Sequence, residues 1–205
     1  MCGIVGYVGN ENAASILIDG LSKLEYRGYD SAGIAVQDNR DEQGKLEVIK
    51  AKGRLQALRE MTDNGSTVKG CCGIGHTRWA THGEPSVVNA HPHVSKDKKI
   101  AVVHNGIIEN YKEIKEYLQK KGYIFVSETD TEVLAHLLDY YYQGNPLEAI
   151  TKVLGRVRGS YALGILFQEN PGVLYAVRKD SPLIIGKSEQ GNFIASDVPA
   201  ILKYT

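Results

Sequence analysis

The 205-residue sequence has few cysteines and no long run of apolar residues. Its three cysteines are an odd number and Cys71 and Cys72 are adjacent, so no disulfide framework is indicated. No apolar stretch approaches the length of a membrane span. The N-terminus also lacks the basic region and long apolar core of a signal peptide. We therefore expect a cytoplasmic protein in a reducing compartment, with no membrane partner.

The sequence also lacks an excess of either charge. Lys plus Arg and Asp plus Glu both number 24, so no overall field favours nucleic acid. The composition, 42% hydrophobic and 23% charged, is ordinary for a globular domain with a substantial core. We therefore expect a single domain over residues 1–205 that has no nucleic-acid partner. Residues 199–205 resemble the beginning of another element, so we expect the chain to be part of a longer protein.

The spacing of the apolar residues predicts strands near both ends of the chain and paired helices in the middle. Strands are predicted at residues 1–9, 32–36, 45–50, 70–75, 99–104, 123–126, 161–167, 173–177, 183–185 and 193–195, and helices at 13–24, 53–61, 109–121, 129–138 and 146–157. The steady strand–helix alternation of a parallel sheet is missing. The pattern predicts an α+β fold in which mostly antiparallel sheets pack on one another between helices.

A cysteine directly behind the initiator methionine is the first candidate for chemistry. Taken alone, Cys2 is more typical of a small buried residue at the start of a core strand. Removal of Met1 would place the Cys2 thiol, with a pKa near ~8.5, beside the free α-amine of the same residue, with a pKa near ~7.7–8.0. The amine could then act as the base for the thiol nucleophile.

Residues 76–98 form a long segment with few periodic apolar residues and several histidines, which is typical of a functional loop. A metal site is one interpretation of the histidines, but neither an H-E-x-x-H helix nor a C-x-x-C pair supports it. Arg78 suits a clamp for a small-molecule carboxylate, because its planar guanidinium binds carboxylates through two hydrogen bonds. Trp79 could cover a pocket beside it. A surface ion pair for Arg78 and a core indole for Trp79 remain equally open interpretations.

Three further positions each permit a structural and a functional interpretation. Asn105-Gly106 is a strong hairpin signal, yet a side-chain amide beside a backbone N–H is also a recurrent oxyanion hole. Asp130 suits the first turn of a helix or a substrate ammonium. Arg27 belongs to a polar segment that is equally consistent with a turn.

Six motifs in fixed order resemble the glutaminase domain of the glutamine–fructose-6-phosphate aminotransferase (isomerizing) family, over residues 2 to about 200. They are CGIVG (2–6), EYRGYDSAG (25–33), HTRWATHGEP (76–85), NAHPH (89–93), VHNGIIEN (103–110) and SETDTEV (127–133). That family belongs to the class II amidotransferases, which are N-terminal nucleophile hydrolases. The resemblance implies a four-layer αββα sandwich of mostly antiparallel sheets.

The resemblance also implies roles for the candidate residues. Cys2 would be the nucleophile after loss of Met1, and Asn105 and Gly106 the oxyanion hole. Glutamine would be bound by Arg78 at its carboxylate and by Asp130 at its ammonium. The remaining expected pocket residues are Trp79, Thr81 and His82 in a closing loop, His91 in the pocket wall, and Arg27 in a loop near the nucleophile.

The resemblance implies hydrolysis of L-glutamine to glutamate and ammonia, without a metal or organic cofactor. In a full-length, homo-oligomeric enzyme, the ammonia would pass to fructose 6-phosphate in C-terminal sugar isomerase modules that this chain lacks. Three alternatives stay open: the glutaminase domain of another class II amidotransferase, an unprocessed and silent glutamine-binding module, and a histidine-rich metalloenzyme.

Overall fold

The computed structural model describes residues 2–38, 44–80 and 83–205. The strands are β1 (Gly3–Gly9), β2 (Ser31–Gln37), β3 (Leu46–Lys52), β4 (Cys72–Arg78), β5 (His93–Val94), β6 (Ile100–Ile108), β7 (Gly159–Phe167), β8 (Tyr175–Lys179), β9 (Ile184–Ser188) and β10 (Gly191–Ala195). The helices are α1 (Ala13–Ser22), α2 (Leu55–Thr62), α3 (Tyr111–Lys120), α4 (Glu132–Tyr141) and α5 (Pro146–Leu154). None of these described helices is long and apolar enough to cross a membrane.

The strands form two sheets in which every neighbouring pair is antiparallel. The first sheet has the order β3-β2-β4-β1-β10-β9, and the second has the order β5-β6-β7-β8. Strand β1 lies inside the first sheet, between β4 and β10, so the residue before it is held next to the end of β4. Cys2 and Arg78 therefore lie at the same end of two adjacent strands of this sheet.

Three buried clusters divide the molecule into four layers. Neighbouring residues of a strand point to opposite faces, so Val5 packs under α1 and α2 whereas Ile4 packs between the two sheets. The third cluster lies between the second sheet and α3, α4 and α5, with Val102 of β6 among its members. This arrangement confirms the predicted α+β class and the αββα order of layers.

Helix ends follow the local signals where a cap is present. Asn12 accepts a hydrogen bond from the Ser15 N–H at the start of α1, and Asn145 does the same for Glu148 at α5. The sequence Thr129-Asp130-Thr131-Glu132 has the pattern of a capping box that would start a helix at Thr129, but α4 begins at Glu132 and its N-cap residue Thr131 makes no side-chain capping hydrogen bond. The Glu132 carboxylate instead accepts hydrogen bonds from the Ser127 N–H and hydroxyl.

Two strand predictions need correction. Residues 123–126 form no strand, although their side chains alternate between the core and solvent. Strand β4 continues through Arg78, so His76, Thr77 and Arg78 belong to the first sheet and not to an irregular loop. The polar residues 38–44 between β2 and β3 predict a hairpin loop, of which residues 39–43 lie outside the described residues.

Candidate active site

One cavity of about 290 Å³ lies where the start of β1, the end of β4 and the middle of β6 meet. Eight of the ten predicted site residues line it: Cys2, Arg27, Arg78, Trp79, His91, Asn105, Gly106 and Asp130. The other two, Thr81 and His82, lie outside the described residues. The cavity is also lined by His104, Ile107, Thr129, Thr131, Ser160, Ser181 and Pro182, which the sequence patterns did not assign to a site.

Cys2 is held at both its side chain and its main chain. The Trp79 N–H donates a hydrogen bond to the Cys2 sulfur at 3.3 Å. The Cys2 carbonyl oxygen accepts hydrogen bonds from Asn105 Nδ2 at 2.9 Å and Arg27 Nε at 3.2 Å. Burial raises the pKa of the Cys2 thiol, an effect that the Trp79 N–H partly opposes. The thiol therefore needs a base to become a nucleophile near neutral pH.

The backbone that touches the sulfur is anchored by Asp30. Its carboxylate accepts hydrogen bonds from the Ala80 N–H and, at 2.9 Å, from the Ser31 hydroxyl. The Asp30 N–H donates to the Arg78 carbonyl at 3.1 Å. The polar segment around residue 30 is thus packed against the backbone that contacts Cys2.

Arg27 connects Cys2 to a residue near the end of the chain. Its Nη1 lies 3.0 Å from an Asp197 carboxylate oxygen, which also accepts a hydrogen bond from the Tyr26 hydroxyl at 2.6 Å. Arg27 is buried apart from 8% of its surface, and a buried charge of this kind is stabilised by a hydrogen-bonded partner. No local pattern indicates Asp197 as this partner, because it lies 170 residues away along the chain.

Asn105 and Gly106 lie inside β6, opposite Ala162 and Tyr161 of β7. The expectation of a plain hairpin turn was therefore wrong. Gly106 has φ +121°, and a Cβ at this position would lie 2.1 Å from the Ser160 carbonyl oxygen. Only glycine fits this backbone without strain. The Asn105 amide consequently faces the nucleophile from a rigid strand.

Arg78 and Asp130 bring opposite charges to the same cavity. Arg78, 3% exposed, donates from its guanidinium to the carbonyl oxygens of Gly83 at 3.0 Å and Glu84 at 3.3 Å. One Asp130 carboxylate oxygen accepts from the Ile108 N–H at 2.8 Å. Asp130 precedes α4 and does not belong to its first turn as the sequence suggested. One fixed cation and one fixed anion suit a zwitterionic amino acid.

Buried histidines support the loop that carries Asp130. The Thr131 hydroxyl lies 2.9 Å from both His91 Nε2 and His104 Nδ1. Thr129 makes the equivalent contact with His93 Nε2 at 3.0 Å. Burial lowers the pKa of each of these histidines, so the rings are neutral at physiological pH. Across residues 2–38, 44–80 and 83–205, no group of three or more metal-ligating side chains is arranged to hold an ion.

A comparison with known protein families identifies the family of this chain. The family model described as a glutamine amidotransferase domain matches residues 76–203, which is more than half of the chain. The chain belongs to the glutamine amidotransferase domain family. The matched range includes every lining residue named above except Cys2 and Arg27.

Curated relatives extend the match over the whole chain. The glutamine–fructose-6-phosphate aminotransferase [isomerizing] of Caldanaerobacter subterraneus subsp. tengcongensis is 60% identical over 205 residues, which are 100% of this chain and 33% of the relative. The protein of the same name from Thermus thermophilus is 55% identical over the same shares. The chain thus spans about a third of the length of the curated relatives it matches.

A solved structure supports the fold. The glutamine phosphoribosylpyrophosphate amidotransferase from B. subtilis, complexed with ADP and GMP, superposes with a TM-score of 0.84 at 31% identity. The superposition covers 98% of this chain and 43% of that chain. The N-terminal nucleophile hydrolase architecture implied by the sequence motifs is therefore confirmed.

Proposed function

We propose that this amidotransferase domain hydrolyses L-glutamine to L-glutamate and ammonia through a thioester on Cys2. The observation that carries the proposal is the shared cavity. It joins a thiol, an amide donor, a buried cation and a buried anion, which are the groups that amide hydrolysis of an amino acid requires. Glutamine would bind with its carboxylate at Arg78 and its ammonium at Asp130, which leaves its carboxamide directed to Cys2.

The chemistry starts with removal of Met1, which converts the Cys2 nitrogen from an amide into a free amine. The amine takes the thiol proton while sulfur attacks the carboxamide carbon, and the new oxyanion is held by Asn105 and the Gly106 N–H. The carbon–nitrogen bond then breaks, and the amine returns the proton to the departing ammonia. Water attacks the γ-glutamyl thioester, and glutamate leaves as the Cys2 thiol is restored.

The supporting residues keep these groups in place. Arg27 and the Asn105 amide fix the Cys2 main chain, and Trp79 fixes the sulfur. Trp79 is 45% exposed at the rim of the cavity, where its ring can cover bound glutamine. From the sequence motifs alone we also assign Thr81 and His82 to glutamine binding. His91 lines the wall and holds Thr131, next to the ammonium partner. We propose that no metal or organic cofactor takes part.

In the complete protein, we propose that the ammonia is used to convert fructose 6-phosphate to glucosamine 6-phosphate. The proposal is supported by the names of the relatives, which are at least 50% identical over the full length of this chain. Residues 1–205 would be the single glutaminase domain of a cytoplasmic homo-oligomer, joined to sugar isomerase modules. Isotope transfer from amide-¹⁵N glutamine to the sugar amine by the full-length protein tests this, and transfer to another acceptor would contradict it.

The glutaminase step is tested with the chain itself. The processed protein should release one ammonia per glutamate, whereas Cys2→Ala should release none and keep the same far-UV spectrum and unfolding midpoint. Full activity in Cys2→Ala would overturn the assignment. Intact mass distinguishes the second candidate, a silent glutamine-binding module, because retained Met1 would leave Cys2 without its base. Loss of activity to chelators would instead favour a metalloenzyme.

A further inference from the structure

His76 joins the two sheets at the catalytic cavity. It lies in β4, opposite Ile4 of β1 and Gly33 of β2, and is completely buried. Its Nε2 lies 2.9 Å from Asn105 Oδ1 and 3.1 Å from the His104 carbonyl oxygen, both in the second sheet. The Nε2 atom of His76 thus links the first sheet, whose strand β1 begins next to Cys2, to strand β6, which carries Asn105.

The two contacts of Nε2 determine its protonation. The His104 carbonyl oxygen is only an acceptor, so Nε2 has to carry the hydrogen in order to bond with it. An N–H at this position also requires an acceptor from Asn105, which places the amide oxygen at His76. The amide NH₂ is then directed to Cys2, where Nδ2 meets the carbonyl oxygen at 2.9 Å.

The surroundings of the ring support one tautomer. The His76 Nδ1 is buried and has no hydrogen-bond partner among the described residues, which suits a nitrogen without a hydrogen better than an N–H. The ring stacks on His91, with centroids 4.0 Å apart. Burial lowers the pKa of His76 to about 3, so the ring stays neutral throughout the working pH range.

We propose that His76 is a positioning residue that fixes the orientation of the Asn105 amide, so that its NH₂ and not its oxygen faces the reacting carbonyl. This inference rests on the proposed glutaminase function. An amide that is free to rotate by 180° would present its oxygen to the developing oxyanion, which is repulsive. His76 therefore acts only through Asn105 and does not touch the substrate.

The tautomer can be measured without any substitution. Nitrogen-15 NMR of the protein labelled at histidine should show a protonated Nε2 and an unprotonated Nδ1 for His76, with no change between pH 6 and 8. Protonation at Nδ1 would overturn the inference, because Nε2 would then accept and could not orient the amide oxygen. This measurement remains decisive even if a substituted protein fails to fold.

The effect of His76 on catalysis is tested by steady-state kinetics of four variants: His76→Phe, His76→Gln, Asn105→Ala and the double variant His76→Phe/Asn105→Ala. Removal of one oxyanion donor typically costs about 10²–10³ in kcat, and His76→Phe should lose about 10²-fold with little change in KM. His76→Gln, whose amide can donate from the same place, should recover about tenfold of that loss. The double variant should match Asn105→Ala, since a residue that acts only through Asn105 has no effect without it.

Alkylation of Cys2 by iodoacetamide separates this role from a purely structural one. That displacement forms no oxyanion, so His76→Phe should react at the wild-type rate while its kcat for glutamine falls. Equal loss in both assays, or losses that multiply in the double variant, would overturn the inference. An inactive processed wild type would contradict the proposed function itself. Active wild type with unchanged His76→Phe would contradict only the role of His76.

Discussion

Acidification below pH 6.5 should destabilise this domain through its buried histidines. Burial lowers the pKa of His76 and His93 to about 3, and it also lowers the pKa of His91 and His104. In the unfolded chain each has a pKa of about 6.5. Below pH 6.5 the unfolded state binds protons that the folded state does not bind, so the free energy of unfolding decreases as the pH falls. The loss continues down to the folded pKa, and above pH 6.5 the contribution is constant.

The magnitude follows from the width of that window. One proton bound only by the unfolded state costs about 1.4 kcal/mol per pH unit. At pH 5 this amounts to about 2 kcal/mol for one histidine, and to about 4 kcal/mol for His76 and His93 together. His91 and His104 add in the same direction. Domains of this size are typically stable by about 5–15 kcal/mol, so the loss is a large share of the total.

Urea unfolding at pH 7.5, 6.5, 5.75 and 5 measures the effect. Carboxylates do not obscure it, because Glu132, with a pKa lowered to about 2, contributes only below the unfolded value near ~4.3. His93→Gln is the matched control, since it keeps a polar atom for Thr129 and removes one titrating ring. Below pH 6.5, the free energy of unfolding of His93→Gln should fall less steeply than that of the wild type, by about 1.4 kcal/mol per pH unit. Equal stability of the wild type at pH 7.5 and pH 5 would refute the reasoning.

Three substitutions test other parts of the site. Arg78→Lys should raise KM for glutamine about tenfold with a smaller change in kcat, because an ammonium cannot form the two-point contact; an unchanged KM would contradict the clamp. Gly106→Ala should lower the free energy of unfolding by about 1–3 kcal/mol because of its positive φ and the clash with β7. Gly155→Ala, at negative φ and with no atom closer than 3.6 Å, is its matched control and should not destabilise in urea. Asp197→Asn should reduce kcat several-fold by loosening Arg27, and steady-state kinetics equal to wild type would show that the pair is only structural.

The elements predicted best from sequence are those with a complete local signal. Helix α1 combines the Asn12 cap with apolar residues at helical spacing, and α5 follows Asn145-Pro146. The buried strands were found because their apolar runs are bounded by glycines and polar turns. In each case the residues that mark the element lie close together in the sequence, so a local pattern identifies it even where its stability comes from distant strands.

The local predictions that were wrong are those that tertiary pairing overrides. Asn105-Gly106 has the composition of a hairpin turn, but it pairs with β7 inside the second sheet, so Gly106 adopts its positive φ within a strand. Residues 123–126 have strand composition without a partner strand. The Glu132 carboxylate binds the loop ahead of α4 instead of completing a capping box. Each outcome depends on contacts that sequence spacing does not encode.

The same limit explains why Cys2 looked ordinary on its own and becomes distinctive in the fold. Its hydrogen-bond partners are Arg27, Trp79 and Asn105, which are 25, 77 and 103 residues away. The register of β1 against β4 brings Trp79 to the sulfur, and the packing of the second sheet brings the Asn105 amide to the carbonyl. From the sequence, only the set of family motifs associates these positions with one site, because the motifs occur together in the family. The motifs do not show how the residues are arranged. The residues that hold those three partners in place became recognisable only in the fold: Asp30 and His76 stand in the motifs without an assigned role, and Asp197 lies outside them.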